Sequence, residues 1–353
     1  LRTVATEQSV WRNRLSGVTM ACLSNERNEA KVAAPRSAYA WMASCLKRSL
    51  ITAACICSSW GVFAQPVVDQ PLRSIGMSVA DLGNPFFVEL VDSATRKANE
   101  LNEGVPVEVI VRSDAYDLNR QMRQLNDFIE RKVDLIILTA ADEYKIAPVV
   151  AKAQRAGIKV IAVDVNAHGA DATITTDNVQ AGMVACERLA KEIGYQGQFV
   201  IINGVSVSSV LERVAGCKSA INRYPNITLL SDRLNGTGSR EGGMEAMTYL
   251  MEEYDHLDAV FAINDPTAYG AMMAAQQAGR NEFVLASVDG SNFAIKTIQY
   301  PNIWLATAIQ RPQLMAEKAV EIGMALLKGE DVRQRFILIP AKLAQKDVQP
   351  SFN

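Results

Sequence analysis

The chain has 353 residues, 49% of them hydrophobic and 21% charged, with a mean hydropathy of +0.03. That is an ordinary composition for globular domains, and the length suits about two of them. The formal net charge is −2 and the pI about 5.9; basic and acidic residues are interleaved, which excludes the electrostatic footprint of a nucleic-acid-binding surface.

Residues 1–41 begin without Met and carry no periodicity; they read as non-native or disordered upstream sequence ahead of a start at Met42. Residues 42–64 have the parts of a signal peptide. A basic segment ends in Lys47-Arg48, the run 49–64 carries no charge, and small residues stand at Val62 and Ala64. The apolar run is shorter than the ~20 residues that cross a bilayer, so cleavage and export to the periplasm are expected rather than anchoring. Cys22, Cys45, Cys55 and Cys57 precede the cut, leaving Cys186 and Cys217. Neither has CxxC spacing or a His neighbour, so no metal is expected, and no other cofactor. Both positions read as helical. Two buried free thiols are expected there, with a disulfide as the alternative in an oxidising compartment.

From residue 72 onward, short apolar runs alternate with amphipathic stretches. Strands are expected at 74–79, 107–111, 135–138, 160–163 and 173–175. They continue at 198–202, 228–230, 259–262, 284–288, 304–309 and 336–339. Most intervals have 3.6-residue apolar spacing; the stretch 146–157, for example, ends on Gly157 as helices commonly do. Strand–helix–strand alternation implies parallel sheets with helices on both faces. So many units fit two Rossmann-like α/β lobes better than one sheet, with a TIM barrel as the competing fold.

Ligands of open α/β sheets bind where strands end and helices begin. Asp81-Leu-Gly-Asn84-Pro-Phe86-Phe87 follows the first strand, Thr139-Ala-Ala-Asp142 the third and Asp164-Val-Asn166 the fourth. Later strands end in Asn264-Asp265, Asp289-Gly290 and Gln310-Arg311. Any one Asx residue at such a turn can be a helix cap. Six such ends beside two phenylalanines are better explained by a shared polar cleft. Carboxylates and carboxamides pair with hydroxyls, and aromatic faces cover the C–H side of a sugar or polyol. On this reading Phe86 and Phe87 are exposed until a polyhydroxylated ligand covers them; the alternative is that both rings lie in the core.

These residues carry a family likeness. The span from about 72 to 349 resembles the ribose-type (type I) periplasmic sugar-binding proteins of ABC transporters. The likeness rests on Asn84-Pro-Phe-Phe87, Val160-Ile-Ala-Val-Asp164, Thr176-Asp-Asn-Val-Gln-Ala-Gly182 and Leu211-Glu-Arg213. It continues through Ala259-Val-Phe-Ala-Ile-Asn-Asp265, Ala286-Ser-Val-Asp-Gly290 and Ala306-Thr-Ala-Ile-Gln310. The resemblance implies two Rossmann-like lobes, 72–177 with 310–340 and 178–309 with 341–353, joined by a three-segment hinge. The chain would cross near 176–178, 309–310 and 339–341. It implies ligand contacts from Asn84, Phe86, Phe87 and Asp164 in the first lobe and from Arg213, Asn264, Asp289 and Gln310, with Thr139 and Thr237 as further candidates. A sugar or polyol ligand, an inner-membrane permease partner and a monomer follow, with a chemoreceptor as a second partner. Two departures bear on the ligand. Family members close to the ribose binder have an Arg after the carboxylate where this chain has Val165, and an aromatic ring near Thr237 where this chain has none. That disfavours a pyranose or ribose clamped between rings and leaves another pentose, a furanose or an acyclic polyol.

Rival readings are weaker. The chain has two histidines, His168 and His256, in polar loop-like contexts, and lacks a G-x-S-x-G, a P-loop or metal-ligand spacing, so no catalytic residue is assigned. A sugar-responsive transcription regulator shares this fold but starts with a helix-turn-helix domain, where this chain has residues 42–64. A sensor that reports its ligand to a receptor is the remaining alternative.

Overall fold

The computed structural model describes residues 71–346. The expected upstream segment 1–41, the expected signal peptide 42–64 and residues 347–353 lie outside the described residues. The first lobe opens with β1 (Ser74–Val79), α1 (Pro85–Leu101), β2 (Glu108–Ser113) and α2 (Leu118–Glu130). It continues with β3 (Leu135–Leu138), α3 (Ala147–Arg155), β4 (Lys159–Val163) and β5 (Ala172–Thr176). The second lobe holds α4 (Asn178–Glu192), β6 (Gln196–Ile202), α5 (Ser208–Ile221), β7 (Asn226–Ser231) and α6 (Arg240–Glu253). After these come β8 (Ala259–Ala262), α7 (Asp265–Ala278), β9 (Val284–Asp289), α8 (Asn292–Thr297) and β10 (Trp304–Ile309). The chain then returns to the first lobe for α9 (Pro312–Leu327) and β11 (Phe336–Ile339), and ends its described course in β12 (Lys342–Gln345).

Each lobe is built on a six-stranded sheet, ordered β11-β5-β4-β3-β1-β2 and β12-β10-β9-β8-β6-β7. All pairings in the first are parallel. In the second only β10–β12 is antiparallel. Helices cover both faces, so central strands such as Leu135–Leu138 and Ala259–Ala262 are buried at every position. This is the two-lobed α/β fold expected from the alternation, and it displaces the barrel. The strand β12 was not anticipated: it is four residues long and mixes Lys342 and Gln345 with two apolar residues, too short for a period to register.

The expectation of two free thiols is corrected. Cys186 and Cys217 form a disulfide, with Cα atoms 5.1 Å apart. Glycines explain the proximity. A Cβ on Gly182 would stand 2.0 Å from the Arg213 carbonyl oxygen, and one on Gly216 would stand 2.0 Å from that of Val179. The backbones of α4 and α5 therefore meet where only glycine fits, and Cys186 and Cys217 lie at that same close contact. Helical position did not exclude the bond, because two helices this close satisfy disulfide geometry.

Candidate functional site

The chain passes between the lobes at three adjacent places: β5 to α4, β10 to α9, and β11 to β12. The crossings are tied to one another. The Thr176 hydroxyl donates to Gln310 Oε1 at 2.8 Å, Asp177 N to the Ile339 carbonyl at 2.9 Å, and Gln180 exchanges a pair of bonds with the Ala341 backbone. The carboxyl ends of both sheets face each other beside these crossings. Between them lies a cavity of about 30 Å³. Its walls are Asn84, Phe86, Phe87, Tyr116, Asp164 and Val165 from the first lobe, Val205, Val207, Ser209, Val210, Arg213, Gly238, Ile263, Asn264 and Asp289 from the second, and Gln310 at a crossing.

Eight of the ten residues expected from sequence thus border one cavity: Asn84, Phe86, Phe87, Asp164, Arg213, Asn264, Asp289 and Gln310. Capping and cleft-lining, set as alternatives, coincide. Asn84 caps α1 through Oδ1, accepting from Phe86 N at 3.0 Å, while its Nδ2 reaches Asp289 Oδ2 of the other lobe at 3.4 Å. Asn264 caps α7 by accepting from Thr267 N at 3.0 Å and donates from Nδ2 to the Gly238 carbonyl at 2.9 Å. In each, the acceptor oxygen fixes the helix end and the amide nitrogen faces the cleft, where one of its two hydrogens already bonds to a cleft-lining residue. The phenylalanines also combine both readings. They pack edge to face, 5.1 Å between centroids, and are 6% and 3% exposed, so they belong to the first-lobe core while forming a cavity wall. They are buried here rather than exposed.

Two expected residues are not brought into the cavity. Thr139 is buried at the end of β3, where its backbone oxygen accepts from Gln121 Nε2, within the polar network joining the ends of β1, β2 and β3. Thr237 is exposed, its hydroxyl 2.8 Å from that of Ser239, and its neighbour Gly238 lines the cavity instead. Conversely, the sequence reading missed Tyr116 and the apolar wall of Val205, Val207, Val210 and Ile263. The signal was present: Asp114-Ala-Tyr116 and Gly204-Val-Ser-Val207 also follow strands.

Asp164 sits in a strained turn. Val165 N donates to the Val163 carbonyl at 2.7 Å, closing a three-residue turn with Asp164 at its centre at φ +65°. Such turns are rare for a residue with a side chain, and backbone strain of this kind concentrates at functional sites. Arg213 is 4% exposed, and its shortest bonds go to neutral acceptors, Asn178 Oδ1 and the Ile263 carbonyl, both at 2.9 Å. The carboxylates stand farther off: Asp289 Oδ1 at 3.5 Å and Asp164 Oδ1 at 3.9 Å. Asp164 Oδ1 is buried with no hydrogen-bond partner. At 3.9 Å the guanidinium offers Coulomb attraction without a hydrogen bond.

Burial drives the titration of these groups. Asp164 is pushed up to about 7 chiefly by burial, with Arg213 opposing and Asp289 and Glu212 adding to the rise. Asp289 is also raised by burial, against Arg213, Gln310 and Asn84. Behind it Asp265 is raised to about 7 by burial, although it accepts from Ser287, Thr307 and both the amide and hydroxyl of Ser291. A buried acceptor without a donor is costly, so this geometry favours a partner bearing O–H or N–H groups. Among the described residues no group of His, Cys, Asp and Glu is placed to hold a metal.

The family model of the periplasmic binding protein domain matches residues 75–331. The chain belongs to that family. The ribose import binding protein RbsB of Salmonella typhimurium is 28% identical over 266 residues, covering 74% of this chain and 88% of its own length. An ABC transporter solute binding protein of Mycobacterium smegmatis, solved with bound glycerol, is 27% identical with a TM-score of 0.71, covering 78% of this chain and 94% of that one. An ABC transporter periplasmic solute binding protein of Actinobacillus succinogenes, solved with bound D-allose, has a TM-score of 0.72 at 23% identity. It covers 78% of this chain and 98% of its own, and establishes the shared fold.

Proposed function

We propose that this protein is the substrate-binding component of an ABC importer, capturing a sugar or polyol between its lobes in the periplasm and presenting it to a membrane permease. The observation that carries the reading is the convergence of Asn84, Asp164, Arg213, Asn264, Asp289 and Gln310 with the Phe86–Phe87 pair on one cavity. Carboxylates, a guanidinium and carboxamides suit hydroxyl groups, and the rings suit the C–H face of the same ligand. A relative named for ribose import and a solved neighbour with bound glycerol support the ligand class.

Capture works by closure. The cavity of about 30 Å³ is far below the roughly 300 Å³ and more of small-molecule sites, so the lobes must part to admit a ligand. The three tied crossings are the natural hinge, with the bodies 72–177 plus 310–340 and 178–309 plus 341–353 moving about it. A ligand touching both lobes stabilises the closed arrangement by its differential affinity. No chemistry is required of the site, and the protein acts as a monomer.

The test is a thermal-shift screen of the purified protein against pentoses, hexoses, furanoses and acyclic polyols. A cognate ligand raises the melting temperature in a concentration-dependent way, because it binds only the native state. A flat response across the whole panel contradicts the proposal.

A further inference from the structure

We propose that Tyr116 sets which sugar or polyol the cleft accepts, and that Asp114 is the positioning residue that holds it there; this rests on the carbohydrate-binding reading above. Tyr116 follows β2 and lines the first-lobe side of the cavity. Its phenol crosses to the second lobe. The hydroxyl lies 3.7 Å from where a Cβ on Gly238 would be, and Gly238 is held by the Asn264 amide. The second-lobe segment 235–239 brings no aromatic ring of its own, so the tyrosine delivers aromatic surface to that side from across the cleft. Among the described residues its hydroxyl has no hydrogen-bond partner. It stands close enough to Asp164 and Asp289 for both carboxylates to make the phenol harder to ionise, after burial as the main cause. The result is a neutral O–H group able to donate to or accept from a ligand hydroxyl.

The backbone that presents this ring is built at a cost. Ala115 and Tyr116 are both left-handed, at φ +53° and +60°, where residues with a side chain are strained. Asp114 holds the turn. Its Oδ1 accepts from Tyr116 N at 2.8 Å, and its Oδ2 accepts from Gln121 Nε2 at 2.7 Å and from Ser78 Oγ at 3.3 Å. Asp114 is itself fully buried. A carboxylate enclosed in the lobe to fix two strained residues is a device for aiming the one side chain that leaves the turn for the cleft.

The experiment is calorimetric titration of wild type, Tyr116→Phe, Tyr116→Ala, Asp114→Ala and the Tyr116→Ala/Asp114→Ala double variant with a panel of neutral pentoses, hexoses and polyols. Thermal unfolding of each protein without sugar checks the fold, and Asp114→Asn, which keeps an acceptor for Tyr116 N, is the conservative control expected to retain the wild-type rank order. Tyr116→Ala is expected to weaken the best wild-type ligand about tenfold or more and to change the rank order of the panel. Tyr116→Phe keeps the order and loses about fivefold. Asp114→Ala reproduces the altered order, and the double variant binds no worse than Tyr116→Ala alone, because Asp114 acts through the tyrosine. An unchanged rank order in Tyr116→Ala, with wild type binding normally, overturns the inference and leaves the carbohydrate reading standing. Wild type binding no member of the panel overturns that reading, and the inference with it.

Discussion

Arg213 shows how a buried site can be assembled from single residues. Its guanidinium reaches Asn178 on α4 and the backbone after β8 while leaning toward two carboxylates. Arg213→Ala leaves Asp164 and Asp289 buried without a cation, which costs about 3–5 kcal/mol, read as a lowered urea midpoint. Arg213→Lys does not rescue it, since an ammonium cannot serve two acceptors in the guanidinium's fork geometry. The carboxylates make a second prediction. Asp114, Asp164 and Asp265 are all raised to about 7, mainly by burial. Between the ordinary carboxylate range near 4 and about 7, the folded protein therefore holds protons that the unfolded chain releases. Stability falls as pH rises through that window. Urea midpoints at about pH 4.5 and about pH 7.5 measure the slope, and Asp114→Asn, which has no proton to hold, flattens it. Much of this site was legible. The Asx residues after strands marked the cleft because strand ends are short and chemically distinct. Thr139 and Thr237 lie outside the cavity because a strand end fixes where the backbone leaves the sheet, not which way a small side chain then faces.

At the scale of elements, the pairing of α4 with α5 connects the first crossing to the cavity between the lobes. α4 begins at the first crossing, and α5 carries Arg213. The disulfide and the Gly182 and Gly216 contacts fix these helices against each other. Replacing both Cys186 and Cys217 with Ser is expected to destabilise the protein by about 3–4 kcal/mol, given the sequence separation of 31 residues. The melting temperature under non-reducing conditions measures it. Gly216→Ala should also destabilise markedly, since its methyl would overlap the Val179 backbone. The strands were readable because buried parallel strands are near-continuous apolar runs, and their observed ends fall within a residue or two of the expected ones. The disulfide was not readable in the same way. Cysteine in a helix says nothing about the neighbouring helix, and the glycines that admit the neighbour lie at spacings meaningful only once the two helices are paired.

For the whole molecule, the antiparallel β12 seals the edge of the second sheet immediately after β11 completes the first, so one short segment, 336–345, belongs to both lobes. Closure about such crossings predicts that a bound sugar or polyol makes the particle more compact, which small-angle scattering with and without ligand would register. The measurement that tests the central claim most directly is calorimetric titration of the best ligand into wild type, Asn84→Ala and Asp164→Ala. One site per chain in wild type and a large loss of affinity in both variants are predicted, with both still folding cooperatively without ligand and Asn84→Ala less stable by about the 1 kcal/mol of a lost helix cap. Wild-type affinity in Asp164→Ala would contradict the account, because the carboxylate left without a donor in the cavity would then play no part in holding the ligand.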